Sequence, residues 1–117
     1  ESRDGGKSNA AYQQALEAYN RVVNSGTRDT NTLVNIGILY DKVGQGNEAE
    51  KLFTEAYSQN DENPHVNFAF GMFKIKQKKY EEASRFLRKT VQANENESEV
   101  RAAQEKLTEM KTNGWIQ

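Results

Sequence analysis

Gly37 and Gly71, Ala49 and Ala83, and Phe53 and Leu87 each stand 34 residues apart, and Ala15 and Tyr19 carry the last two columns one period upstream. A fixed period of this size marks an array of helical units, each burying its apolar face only against its neighbours. Such an array offers a surface rather than a reaction centre.

Helical spacing of apolar residues supports that reading along the chain. Residues 1–8, with Asp4-Gly5-Gly6, show no apolar periodicity and are expected to form a flexible lead, with Ser8 able to cap the first helix. Ala11, Tyr12, Ala15, Leu16, Ala18, Tyr19, Val22 and Val23 predict that helix over 9–24, with an arc wide enough for two neighbours. Asp29 or Thr30 can cap a helix over 31–43, which Gly44-Gln45-Gly46 stops. Asn47 with Glu50 has the spacing of a capping box for a helix to about Gln59. Asn63-Pro64 supplies a cap and a first-turn proline for the next helix, ending near Gln77. Its partner starts at Tyr80 after a turn, Lys78-Lys79, that lacks glycine. Asn96 and Glu99 suggest a second capping box, before a last helix over 98–112 with one narrow apolar stripe.

These columns resemble the tetratricopeptide repeat, a helix–turn–helix unit of 34 residues. With 30–63 as one copy and 64–97 as the next, the family's signature glycine falls on Gly37 and Gly71. Its small crossing residue falls on Ala49 and Ala83, its bulky partner on Phe53 and Leu87, and a second small position on Ala56 and Thr90. The physical reason is independent: a residue without a side chain lets two helices approach, and a large one fills the gap beyond. Asn67, Lys74 and Gly46 depart from the family, standing where it prefers a large apolar residue, a tyrosine and an aromatic. The resemblance implies an all-α fold, a right-handed α-solenoid of antiparallel helix pairs. Residues 9–29 then supply only the second helix of an incomplete first repeat, 98–112 a C-terminal capping helix and 113–117 a tail. Because the chain starts at Glu1 rather than methionine, it is expected to be processed or cut from something longer.

Bulk charge selects no partner, since sixteen basic residues face seventeen acidic ones. The absence of cysteine removes disulfides and thiolate chemistry, and no stretch approaches a membrane span. His65 is the single histidine, so no two-histidine metal motif exists, and no serine sits in a nucleophile elbow. Gly6-Lys7-Ser8 ends like a phosphate loop but lacks the earlier glycine and strand, and Asn96-Glu97-Ser98 reads as a helix cap before it reads as a glycosylation acceptor. The cations from Lys74 to Lys89 lie partly at a helix C-terminus, where they offset the macrodipole. The expectation is therefore a non-catalytic module without cofactor or metal, binding a protein or peptide and neither nucleic acid nor membrane.

In the family the first helix of each pair lines a concave groove. The resemblance carries that role onto Asn31, Val34, Asn35, Ile38, Asp41 and Lys42, then His65, Phe68, Ala69, Met72, Ile75 and Lys76. Val34, Ile38, Phe68, Met72 and Ile75 are expected to form an exposed apolar strip for a helical segment of a partner. The alternative is a strip covered within the molecule, by the 113–117 tail or by tighter curvature. A two-carboxylate clamp is disfavoured, because His65 and Ala69 occupy positions where it would need cations. The incomplete first repeat also suggests a second contact face at Tyr12, Leu16, Tyr19 and Val23, through which the chain would self-associate.

Overall fold

Six helices and no strand make up the described residues: α1 (Arg3–Asn24), α2 (Thr30–Lys42), α3 (Gly46–Gln59), α4 (Pro64–Lys76), α5 (Tyr80–Ala93) and α6 (Glu97–Thr112). The structure, a computed structural model, describes the backbone of 3–26 and 28–117, and the side chains of 10–21, 23–26 and 28–117. The chain divides into two compact units, 1–56 and 57–117.

In the first unit α1 begins at Arg3, inside the span expected to be a flexible lead. Gly5, Gly6 and Ser8 are helical, so Ser8 does not start the helix. Glycine costs about 1 kcal/mol relative to alanine inside a helix. That is tolerable where each added residue also closes a backbone bond onto an existing helix. Residues 1–2 of the expected lead, and the side chains of Lys7, Ser8 and Val22, lie outside the described residues. Leu16 and Val23 are buried against Ile36, ringed by Tyr19, Leu39, Tyr40, Val43 and Leu52. Asp29 is the α2 cap, its Oδ1 accepting the Thr32 N–H at 2.9 Å.

The exit from α2 determines how α3 starts. Gly44, at φ +84°, donates its N–H to the Asp41 carbonyl, and the Gln45 N–H reaches back to Tyr40. This pair of bonds is a Schellman motif, and it delivers the chain directly into α3. The Ala49 N–H already bonds the Gln45 carbonyl at 3.1 Å, so Asn47 lies inside the helix and the expected box with Glu50 has no place.

The second unit repeats this turn without the glycine. Lys78, 34 residues after Gly44, takes the left-handed conformation at φ +61°. Its N–H bonds Ile75, and the Lys79 N–H bonds Lys74. Asn63 caps α4 by accepting the N–H groups of His65 and Val66, with Pro64 in the first turn as expected. Asn67 is fully buried. Its side-chain amide donates to the Asp61 and Asn63 carbonyls at 3.1 Å each, pinning the loop before α4 where the family pattern has an apolar residue. The core of this unit gathers Ala83, Leu87, Ala103, Met110 and Ile116. The tail is thus part of the core, and the turn leading to it at Gly114 repeats the Schellman bonds a third time, from Gly114 to Lys111 and from Trp115 to Met110. Only half of the second expected capping box forms. Asn96 accepts the Glu99 N–H at 3.0 Å, while the Glu99 carboxylate turns to His65.

Both signature glycines sit under the bulky residue of the following helix. A Cβ on Gly37 would lie 2.7 Å from Phe53 Cε1, and one on Gly71 2.8 Å from Leu87 Cδ2, with Phe53 and Leu87 fully buried. Gly71→Ala should therefore destabilise the fold in chemical denaturation. The overpacking, about 1–3 kcal/mol, outweighs the roughly 1 kcal/mol gain in helix propensity. At Lys78 the opposite substitution should help: Lys78→Gly relieves a left-handed strain of about 1–2 kcal/mol against an entropic loss of about 0.5–1 kcal/mol. A small rise in the denaturation midpoint is expected there, and a fall would show the turn to be unstrained.

Candidate functional site

The first helices of the two repeats, α2 and α4, carry the residues expected to face a partner. On α2, Asn31 and Lys42 are exposed, and Asn35, Ile38 and Asp41 are half-buried. Val34 is fully buried and takes no part in a surface. On α4, Lys76 is exposed, His65, Phe68, Met72 and Ile75 are half-buried, and Ala69 is buried. Phe68 and Ile75 pack against the core cluster that includes Ile116. The expected exposed strip is therefore corrected: Val34 and Ala69 are interior, and Phe68 and Ile75 are partly covered by a core to which the tail contributes. Ile38 on α2 and Met72 on α4, one in each unit and 34 residues apart in sequence, stay part-exposed without belonging to either core cluster.

The expected second contact face is corrected as well. Leu16 and Val23 are buried, and Tyr19 packs beside them against Ile36. Tyr12 is half-buried, with Lys42 Nζ 5.8 Å from its ring centroid. These side chains form the inner face of α1, and the part of its wide apolar arc that reaches solvent is alanine, at Ala11 and Ala18. Alanines present little area to a partner.

His65 Nδ1 lies 2.7 Å from Glu99 Oε2, joining the first turn of α4 to the first turn of α6. The two residues are one period apart, so the repeat spacing itself is the signal for this pair. A further group escapes sequence reasoning because its members read as core or as macrodipole compensation. Glu82, Arg85, Phe86 and Lys89 recur at helical spacing on α5 and, with Tyr57 at the end of α3, line a cavity of about 170 Å³. Phe86 stacks on Phe70 at 4.6 Å between centroids and takes the edge of Tyr57 at 5.4 Å. Lys89 Nζ donates to the Tyr57 hydroxyl at 2.9 Å and to the Asp61 carbonyl at 3.3 Å. The bond to Tyr57 is the main reason its ammonium is held above the ordinary lysine range. Lys74, nearly buried, pairs with Glu82 at 3.0 Å and lies 5.3 Å from the Phe70 centroid.

A family model described as tetratricopeptide repeat matches residues 42–107, more than half of the chain. No curated protein and no solved structure matches the chain. Among the described residues, no helix is long and apolar enough to cross a membrane.

Among the described residues three carboxyls are held below the ordinary carboxylate range: Glu82 mainly by its hydrogen bond from Lys74, Glu55 mainly by Arg28, and Asp29 mainly by the Thr32 N–H it caps. A depressed folded-state value contributes stability that is present above the unfolded value, near pH 4, and is lost as pH falls through the folded one. The melting temperature should therefore drop on acidification below about pH 4. Glu82→Gln should flatten part of that slope and lower the melting temperature at pH 7 by the same contribution, a small one because the carboxylate is part-exposed and screened. An acid slope unchanged in Glu82→Gln would mean that the pair with Lys74 does not persist in solution.

Proposed function

Because the chain belongs to the tetratricopeptide repeat family, whose members generally mediate protein–protein interaction, we propose that it is a non-catalytic adaptor binding an apolar or amphipathic segment of a partner protein. The contact lies on the solvent-facing side of its first-type helices. The observation that carries this reading is a part-exposed large apolar residue on the first-type helix of each unit, Ile38 on α2 and Met72 on α4. They occupy the same repeat position on α2 and α4, and both keep part of a large apolar side chain in solvent where the core does not require it. An amphipathic segment buries such an anchor on either helix, with Asn31, Asn35, Asp41 and Lys42 as the polar surround of Ile38 on α2 and Lys76 that of Met72 on α4.

Charge on α4 speaks against recognition of carboxylate-rich tails. His65 faces Glu99, which places a negative group where a carboxylate clamp would need a cation, and Ala69 is buried. Self-association through α1 loses its support in the packing of Leu16, Tyr19 and Val23 against α2 and α3 residues.

Peptides selected from a random library on the wild-type chain provide the test. Ile38→Asp and Met72→Asp, singly and together, should each weaken the selected peptides by about tenfold or more, the scale of losing a buried apolar anchor. Circular dichroism and melting temperature would verify that both variants remain folded. Unchanged affinity in a folded double variant would remove the assignment to these two helices.

A further inference from the structure

The cavity lined by Tyr57, Glu82, Arg85, Phe86 and Lys89 draws its walls from α5 and the end of α3, and none from the helices that carry Ile38 and Met72. Three observations define what it can hold. Its volume, about 170 Å³, is below the roughly 300–1,000 Å³ of small-molecule pockets, and suits one inserted side chain. Its aromatic rings are already occupied by each other: Phe86 lays a face on Phe70, and Tyr57 meets Phe86 edge-on at 89°. Phe70 therefore covers the face of Phe86 on which a nucleobase would otherwise stack.

The third observation is charge. Between Lys74 and Lys89 the sequence holds seven cations and two carboxylates. Several of these charges are engaged. Glu82 is bonded to Lys74 and lies in the field of Lys79 and Arg85 as well. Lys89 is tied to Tyr57 and Asp61, with Glu62 at 3.9 Å. Arg85 makes no ion pair or hydrogen bond among the described residues, although its planar fork of donors suits a carboxylate. The one lining carboxylate is thus already neutralised by a nearly buried lysine, and the lining guanidinium is available.

We propose that this cavity is a second docking point, which takes a glutamate or aspartate side chain from an acidic segment of a partner protein. The incoming carboxylate pairs with Arg85 and receives the field of Lys89, and its methylene stem lies against Phe86 and Tyr57. The site shares no residue with the contacts at Ile38 and Met72.

Titration of the isotopically labelled chain with a synthetic peptide alternating glutamate and leucine, followed by amide and Arg85 Nε–H resonances, tests this. The expected result is saturable shifts at Tyr57, Phe86 and Arg85 that weaken with added salt and are absent with the glutamine counterpart. Arg85→Gln should weaken binding by at least about fivefold, whereas Arg88→Gln, a neighbouring cation outside the cavity, should not. Ile38→Asp plus Met72→Asp should leave this binding intact, which separates its failure from failure of the apolar face. The proposal is overturned if no shift appears at Tyr57 and Phe86, if the glutamine peptide binds equally, or if Arg88→Gln is as damaging as Arg85→Gln. It is also overturned if a poly-dT oligonucleotide binds at the same residues more tightly than the peptide.

Discussion

Within each repeat, everything depends on one close approach between a glycine and the bulky residue of the next helix. With Phe53 Cε1 2.7 Å from where a Gly37 Cβ would stand, and Leu87 nearly as close to Gly71, the helices meet without an intervening side chain. That contact fixes the rotation of α2 and α4 about their axes. Helical geometry then decides the rest: Ile36, one position before Gly37, goes to the core, and Ile38, one position after, is turned toward solvent. The same offset brings Phe70 inward and leaves Met72 partly exposed. The candidate contact residues are thus a by-product of the scaffold columns, displaced from them by about 100° around the helix.

The turn is the second invariant. The Schellman bonds after α2, α4 and α6 form with Gly44, Lys78 and Gly114 at the left-handed position. A lysine can occupy it because the reversal is determined by the packing of α4 against α5, so local preference is overridden by tertiary contact. After α6 the same turn leads into a different outcome, with Ile116 buried beside Ala83 and Leu87. One period after Gly71 stands Glu105, which is exposed. A glutamate there would keep a further helix from approaching α6 as closely as α5 approaches α4, and Arg101, Gln104, Thr108 and Glu109 make the rest of that face polar.

Helix existence was legible in the sequence because period and punctuation agree at Asn63-Pro64, Gly44 and Asn96. Boundaries were not legible where a side chain has two possible roles. Asn47 and Glu50 have capping-box spacing, yet the backbone of Gln45 is already committed to the helix by the preceding turn. Glu99 has the position to close a box and instead pairs with His65, a partner separated by a full period. Exposure was the least legible property. Val34 and Phe68 occupy groove positions by register, but whether such a residue reaches solvent depends on what packs over it, and for Phe68 and Ile75 that includes the neighbours of Ile116. At α1 the apolar arc is as wide as the sequence indicates, while its large residues line the inside of the interface with α2 rather than a free surface.

Charge resists reading from sequence for a related reason. A formal charge of −1 suggests no electrostatic preference, and seven cations between Lys74 and Lys89 suggest a basic face. Neither statement distinguishes engaged charges from available ones. Lys74 lies against Phe70 and is bonded to Glu82, which places its charge in the interior rather than in the solvent field. Lys89 folds over the Tyr57 hydroxyl. The pair with Glu82 removes Lys74 from the surface count and cancels Glu82, while Lys89 stays charged and part-exposed beside the cavity. Arg85 joins Lys89 beside a cavity whose own carboxylate is satisfied. In water a single exposed cation attracts an anion weakly, because solvent competes for both partners. A cation beside aromatic walls that exclude part of that solvent binds a carboxylate more strongly, and the walls exist because Phe70, Phe86 and Tyr57 pack on one another. The selectivity of this surface for an acidic side chain therefore originates in the packing of the repeat and not in its net charge.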